Sequence, residues 1–219
     1  MLRLEHISKT LQGKTVIEDF SLAMSKGDMV CLTGPSGAGK TTIVRIAAGL
    51  LAPDRGQLQI GTANIAFAFQ DAPLIPWLTA LQNMQFVLSP RLRGEKLDAQ
   101  ALTWLERLGL SDARDKKPSE MSGGMQRRLS IACSFAVTPE LLFLDEPFAF
   151  LDEYWQSVVV DELIRQNRQR RLTVLMVSHQ PEPVQRLDAR VVHLATGSKL
   201  LSAKKHNPER AEQTGAESA

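Results

Sequence analysis

The run Gly34-Pro35-Ser36-Gly37-Ala38-Gly39-Lys40-Thr41 constrains this chain more than any other feature. It follows Met29-Val30-Cys31-Leu32-Thr33, a continuous apolar segment that suits a strand buried on both faces. A helical stretch, Thr41 to Gly49, comes next. The spacing is G-x-x-x-x-G-K-[ST], and each part has a physical reason. Glycines let successive backbone N–H groups turn inward around a phosphate, and the helix N-terminus adds the positive end of its dipole. Lys40 can reach β- and γ-phosphates, the Thr41 hydroxyl can ligate Mg²⁺, and Thr42 continues the first helical turn. A plain glycine-rich turn is the alternative, and the flanking strand and helix argue against it.

A phosphate cradle alone leaves the reaction open, so a second element has to decide. Leu141-Leu142-Phe143-Leu144-Asp145-Glu146-Pro147 supplies it. Four apolar residues ending in a carboxylate predict a buried strand whose tip holds Asp145 where it can orient a metal ion through water. Glu146, one residue further on, is placed to accept a proton from an attacking water. The third element is Ser122-Gly123-Gly124, which opens a helical stretch and offers backbone N–H groups and a hydroxyl to an anion. Taken alone, S-G-G reads equally well as a helix-entry turn.

The rest of the chain is arranged around these three points. Leu2 to Ile7 and Thr15 to Met24 alternate about the turn at Gln12-Gly13-Lys14, as an antiparallel layer would. Pro53 to Gly56 reads as a turn, with short strands at Gln57 to Ile60 and Ile65 to Phe69. From Ala72 to about Ala136 strand signals stop, and Leu97, Ala101, Leu105 and Leu108 recur at a helical period, so a helical insertion is expected. Leu172 to Val177 returns as a buried strand after a helix from about Trp155 to Gln169. The segment from Lys204 to Ala219 is polar and reads as a disordered tail.

With 219 residues, 43% hydrophobic and 23% charged, the chain can bury a core of one large domain. A net charge of +2, spread evenly, gives no reason to expect a nucleic-acid partner. The longest apolar runs fall far short of the ~20 residues that span a bilayer. The N-terminus lacks the apolar stretch of an export signal, and Cys31 and Cys133 lie in apolar contexts without metal-ligand spacing. A reduced, cytoplasmic protein is the expectation.

Together the motifs resemble the nucleotide-binding subunits of ABC transporters over residues 1 to about 195. The order matches: the phosphate loop, Gln70 after a strand, Met121-Ser122-Gly123-Gly124-Met125, Asp145-Glu146, Leu151-Asp152, and His179 after the last buried strand. The resemblance implies an α/β fold, a P-loop NTPase (RecA-like) core with an antiparallel β subdomain and an inserted helical subdomain. The ATPase domain would span 1–203, with core at about 1–71 and 137–203 and the insertion at about 72–136. It implies ATP and Mg²⁺ as cofactors. Catalysis would fall to Glu146, His179, Gln70 and Lys40, and metal binding to Thr41, Gln70 and Asp145. Nucleotide contacts would come from residues 34 to 42, Leu11, and the Ser122-Gly123-Gly124 loop, which would close over ATP held by a second subunit. Asp152 would lie at that dimer interface.

A narrower resemblance rests on Phe69-Gln70-Asp71-Ala72-Pro73-Leu74-Ile75-Pro76-Trp77-Leu78-Thr79 and Asn83, which look like the corresponding stretch in nitrate, sulfonate and taurine importer ATPases. Met125 fits that branch too. Trp77, with the neighbouring Pro73 and Pro76, would form a stiff apolar patch suited to a short helix of a membrane permease. Several positions depart from the general pattern. Leu11 replaces an adenine-stacking aromatic, Phe150 a small residue and Cys133 an arginine, while Pro181 and Pro183 should make the helix after His179 start later or bend.

The resemblance therefore implies a subunit that energises import of a small solute. Its partners would be a separate integral-membrane permease, a second ATPase subunit and a solute-binding protein. It would sit peripherally on the cytoplasmic face of the cell membrane through the permease. Two rival readings stay open. A regulatory subunit that binds nucleotide without turnover is favoured by Leu11 and opposed by retention of Glu146 and His179. An exporter-type or soluble ABC ATPase is the other, although soluble versions carry tandem domains or coiled coils absent here.

Overall fold

Two sheets meeting across a shared core organise the chain, and the computed structural model describes residues 1–195 and the backbone of a strand at 200–204. β1 (Leu2–Leu11) and β2 (Lys14–Met24) form a hairpin whose two-residue turn, Gln12 and Gly13, has positive φ at both positions. That geometry matches the right-handed twist of the flanking strands. β4 (Arg55–Ile60) pairs with the other edge of β1, giving an antiparallel sheet in the order β2-β1-β4.

The larger sheet contains β3 (Met29–Thr33), β5 (Ile65–Ala68), β6 (Leu141–Asp145), β7 (Thr173–Val177), β8 (Arg190–Leu194) and β9 (Leu200–Lys204). Their order is β5-β6-β7-β3-β8-β9, parallel throughout except for β9, which runs antiparallel to β8. Every residue of β6 and β7 is buried, which explains their unbroken apolar runs. Alternation still operates within them. Leu141 and Phe143 face a core shared with α1 (Lys40–Ala47) and the antiparallel sheet, whereas Leu142 and Leu144 face the helices of the other side.

Those helices are α2 (Ala80–Leu88), α3 (Gly94–Arg107), α4 (Gly123–Ala136) and α5 (Glu153–Arg170), followed by α6 (Pro181–Arg186). The stretch 72–136 contains α2, α3, α4 and two short 3₁₀ turns, and no strand. On α3, Ala101, Trp104 and Leu105 are buried, with Trp104 stacked on Phe135 of α4 at 5.5 Å between ring centroids. α6 corrects one expectation: it begins at Pro181 itself, immediately after His179-Gln180. Pro181 and Pro183 occupy the first and third helical positions, whose N–H groups have no intrahelical acceptor, so two prolines start this helix at little cost. The expected tail at 204–219 lies, beyond the backbone of Lys204, outside the described residues.

Among the described residues no helix is long and apolar enough to cross a membrane. Cys31 and Cys133 are free, and burial pushes both thiols up to about 12. Both are therefore protonated and inert at neutral pH.

Candidate active site

At the C-terminal ends of β3, β6 and β7 the chain opens into a cleft of about 850 Å³. Open parallel sheets place ligands at this end of their strands. The loop after β3 forms its floor. Gly34 has φ 138°, and a Cβ there would come within 2.4 Å of the Leu194 carbonyl oxygen, so no other residue fits between the loop and β8. Lys40, only 6% exposed, folds back so that Nζ donates to the carbonyls of Gly34 and Pro35, each at 2.8 Å. Burial lowers its pKa, and the charges of Glu146 and Asp145 oppose that shift.

Across the floor, the Thr41 hydroxyl donates to Asp145 Oδ1 at 3.2 Å. Asp145 ends β6 and is 2% exposed, and burial raises its pKa despite the hydrogen bond from Thr41 and the charges of Arg45, Arg127 and Lys40. A buried carboxylate beside a hydroxyl is a pair of hard oxygen donors, the chemistry Mg²⁺ selects, so these residues fit the ion. Glu146 turns out of the strand at φ 51°, a left-handed conformation held by its N–H donating to the Val177 carbonyl at 3.0 Å. Strained backbone of this kind costs of order 1–3 kcal/mol and recurs at functional sites. Its carboxylate lies 3.3 Å from His179 Nε2, and burial raises its pKa while His179 works against the shift.

Ser36, Gly37, Gly39, Lys40, Thr41, Thr42, Gln70, Glu146 and His179 all border the cleft. Asp145, behind Thr41, and Gly34 and Pro35, beneath Lys40, support it, whereas Ala38 belongs to the core. Leu11 does not border it. Leu11 ends β1, opposite Lys14 in the hairpin, and the wall on that side is Lys14, Thr15 and Val16 of β2. Ser122, Gly123 and Gly124 also lie apart from the cleft of their own chain, at the start of α4, where Ser122 Oγ accepts the Met125 N–H at 3.3 Å. Gly124 has no room for a side chain: a Cβ would sit 2.7 Å from the Phe150 carbonyl oxygen. Asp152 caps α5, accepting from the Trp155 N–H at 2.9 Å.

Besides the β2 wall, the places of Phe150 and Arg127 around the cleft were not read from the sequence. Phe150 borders the cleft with its side chain exposed and its backbone at φ 64°. Arg127, on α4, is buried against the backbone beneath the cleft. A charged residue among Leu129, Ile131 and Ala132 was the available signal, but its acceptors are carbonyls, which no residue type announces.

A floor of backbone N–H groups and a lysine, a hydroxyl–carboxylate pair, and a glutamate beside a histidine can hold a polyphosphate and steer water toward its end. A family model described as ABC transporter matches residues 17–149. The bicarbonate transport ATP-binding protein CmpD of Synechocystis sp. is 36% identical over 90% of this chain and 74% of its own length. The aliphatic sulfonates import ATP-binding protein SsuB 1 of Pseudomonas syringae pv. syringae is 37% identical over 87% of this chain and 78% of its own. Among solved structures, the ATP-binding cassette MJ0796, a dimer in a post-hydrolysis state with ADP and phosphate, superposes with a TM-score of 0.87 at 27% identity. It covers 94% of this chain and 98% of that one.

The chain belongs to the ABC transporter family, as one of its ATP-binding subunits. Its reaction is ATP hydrolysis coupled to transport across a membrane.

Proposed function

We propose that two copies of this chain drive a separate membrane permease that imports a small solute, of the class handled by the sulfonate and bicarbonate systems its relatives serve. The observation that carries the reading is the single cleft bordered by Lys40, Thr41, Gln70, Glu146 and His179. Lys40 would leave its two carbonyl acceptors for the β- and γ-phosphates. Thr41 and Asp145, with Gln70, would hold Mg²⁺, which supplies charge neutralisation at the phosphates when bound. Glu146 would take the proton of the attacking water, and His179 would hold that water in line with the γ-phosphate. The partner subunit's Ser122, with its glycine N–H groups, would complete the phosphate shell. ATP would thus close the pair and hydrolysis reopen it. Functionally, the core would comprise 1–71 and 137–203, and the insertion 72–136.

Permease docking falls to the loop before α2. Trp77 is 72% exposed, and beside its loop lies a groove of about 250 Å³ lined by Phe67, Leu74, Ile75, Phe86, Val87 and Cys133. Loop and groove offer an apolar seat for a short helix. The subunit would then sit on the cytoplasmic face of the membrane through that partner, with a solute-binding protein in the same system. Affinity purification of the tagged chain from detergent-solubilised native membranes tests this. A polytopic permease recovered with the wild type and lost with Trp77→Ala is expected. Recovery only in the soluble fraction, alone or with ribosomes or DNA, would contradict it.

A further inference from the structure

Arg127 is the bulkiest fully buried side chain among the described residues, 2% exposed, and it lies on α4 just over one turn beyond Gly123. Among the described residues it makes no salt bridge; its guanidinium is spent on backbone carbonyls. Nη2 donates to the Asp145 carbonyl at 2.6 Å and Nε to that of Pro147 at 3.4 Å. Nη1 donates to the carbonyl of Phe69 and reaches that of Gln70 at 3.4 Å. One side chain therefore spans the end of β6, with Asp145 and Glu146, and the loop after β5, with Gln70. Its neighbour Arg128 has a different task, donating to Leu108 and Gly109 and stacking over Trp155 at 3.8 Å.

The arrangement is directional. A guanidinium offers five N–H groups in a rigid planar fork, and here Nε, Nη1 and Nη2 are divided between two separate segments, a spread that an ammonium, with its three donors on one atom, does not offer. Burial pushes the Arg127 guanidinium down to about 10, and the charges of Asp145, Glu146 and Asp71 oppose that shift. It stays charged at neutral pH, so each bond is charge-assisted.

We infer that Arg127 is a positioning residue for this cleft: it locks the Gln70 loop to the carboxylate-bearing end of β6 and keeps both in register with the helix that begins at Ser122. The kinetic part of the inference rests on the ATPase reading above. Arg127 does not line the cleft, so it acts through Gln70 and the two carboxylates.

The test uses the purified full chain carrying Arg127→Lys or Arg127→Met, each also combined with Gln70→Ala. Turnover, equilibrium binding of MgATP, thermal midpoint and deuterium uptake of the 69–72 segment are measured. Misplacing a loop costs up to about 10²-fold in rate. Arg127→Lys is expected to lower kcat about 10- to 100-fold, leave MgATP affinity within about threefold, and speed exchange at 69–72 but not at 34–42. In the Gln70→Ala background the same substitution should cost much less, because the residue it positions is gone. A merely structural arginine would lower affinity and turnover together, speed exchange in both segments and add in full to Gln70→Ala; that pattern overturns the inference. If the wild-type chain shows no turnover even with its permease, the ATPase reading fails. Exchange alone then decides: faster uptake confined to 69–72 supports the positioning role, and unchanged uptake overturns it.

Discussion

At the scale of single residues, the chemistry of the site is written in its burial. Glu146 and Asp145 both have pKa values raised by loss of water, although each faces cations. A general base must be deprotonated, so under the role proposed for Glu146 kcat/KM should fall as pH drops through its folded value, above the ~4.3 of an ordinary glutamate. A pH profile checks this, and an acid limb at or below the ordinary value would contradict it. The same shifts set a sign for stability. Two carboxylates that hold protons more tightly when folded stabilise the fold below the ordinary carboxylate range, and that contribution is lost as pH rises through their folded values. Glu146→Gln should therefore raise the thermal midpoint at neutral pH without nucleotide. Phe150 offers a separate stability test. Its left-handed backbone and exposed ring suggest that Phe150→Gly removes about 1–2 kcal/mol of steric cost, less the entropy glycine adds to the unfolded chain. The net result should be a thermal midpoint unchanged or raised by a few degrees, and a lower one would argue that the ring stabilises the folded chain.

At the scale of elements, motifs contiguous in sequence were legible and walls assembled from separate strands were not. The phosphate loop and the acidic end of β6 each occupy one short stretch that local spacing singles out, whereas the helix-opening serine stands out only through the family resemblance. Lys14, Thr15 and Val16 border the cleft only because β2 packs beside the loop, which no local pattern records. The helix after His179 was misjudged for a different reason: proline breaks helix interiors but suits first turns, and Pro181 is the first residue of its helix. The loop at 73–79 owes its shape to Asn83 on α2. Its amide, 4% exposed, donates to the carbonyls of Ile75, Leu78 and Thr79 and accepts the Ile75 N–H at 2.8 Å. Asn83→Ala leaves those groups short of partners and should cost about 1–3 kcal/mol in urea unfolding, while freeing the Trp77 loop. A loss below about 0.5 kcal/mol would mean water replaces the amide.

At the scale of the molecule, the separation of Ser122-Gly123-Gly124 from the cleft of its own chain is what a shared active site requires. A single copy carries the Lys40 cleft on one surface, and Ser122, whose Oγ accepts the Met125 N–H, opens α4 outside it. MgATP is expected to convert Glu146→Gln from monomer to dimer, read by light scattering after size-exclusion chromatography, because binding without turnover would trap the closed pair. The mass should stay monomeric without nucleotide and with a Ser122→Glu substitution, whose charge would oppose the γ-phosphate. Dimerisation that ignores both nucleotide and Ser122→Glu would point to an interface elsewhere.

The most direct test of the central claim is phosphate release from MgATP by the purified full chain, wild type against Glu146→Gln, with nucleotide binding measured on both. Removing a general base costs on the order of 10²–10⁴-fold. The account predicts steady turnover by the wild type, a loss of that size in Glu146→Gln, and undiminished ATP binding. Equal rates in the two proteins, or no turnover by the wild type even with its permease, would contradict it and favour a nucleotide-binding regulatory subunit.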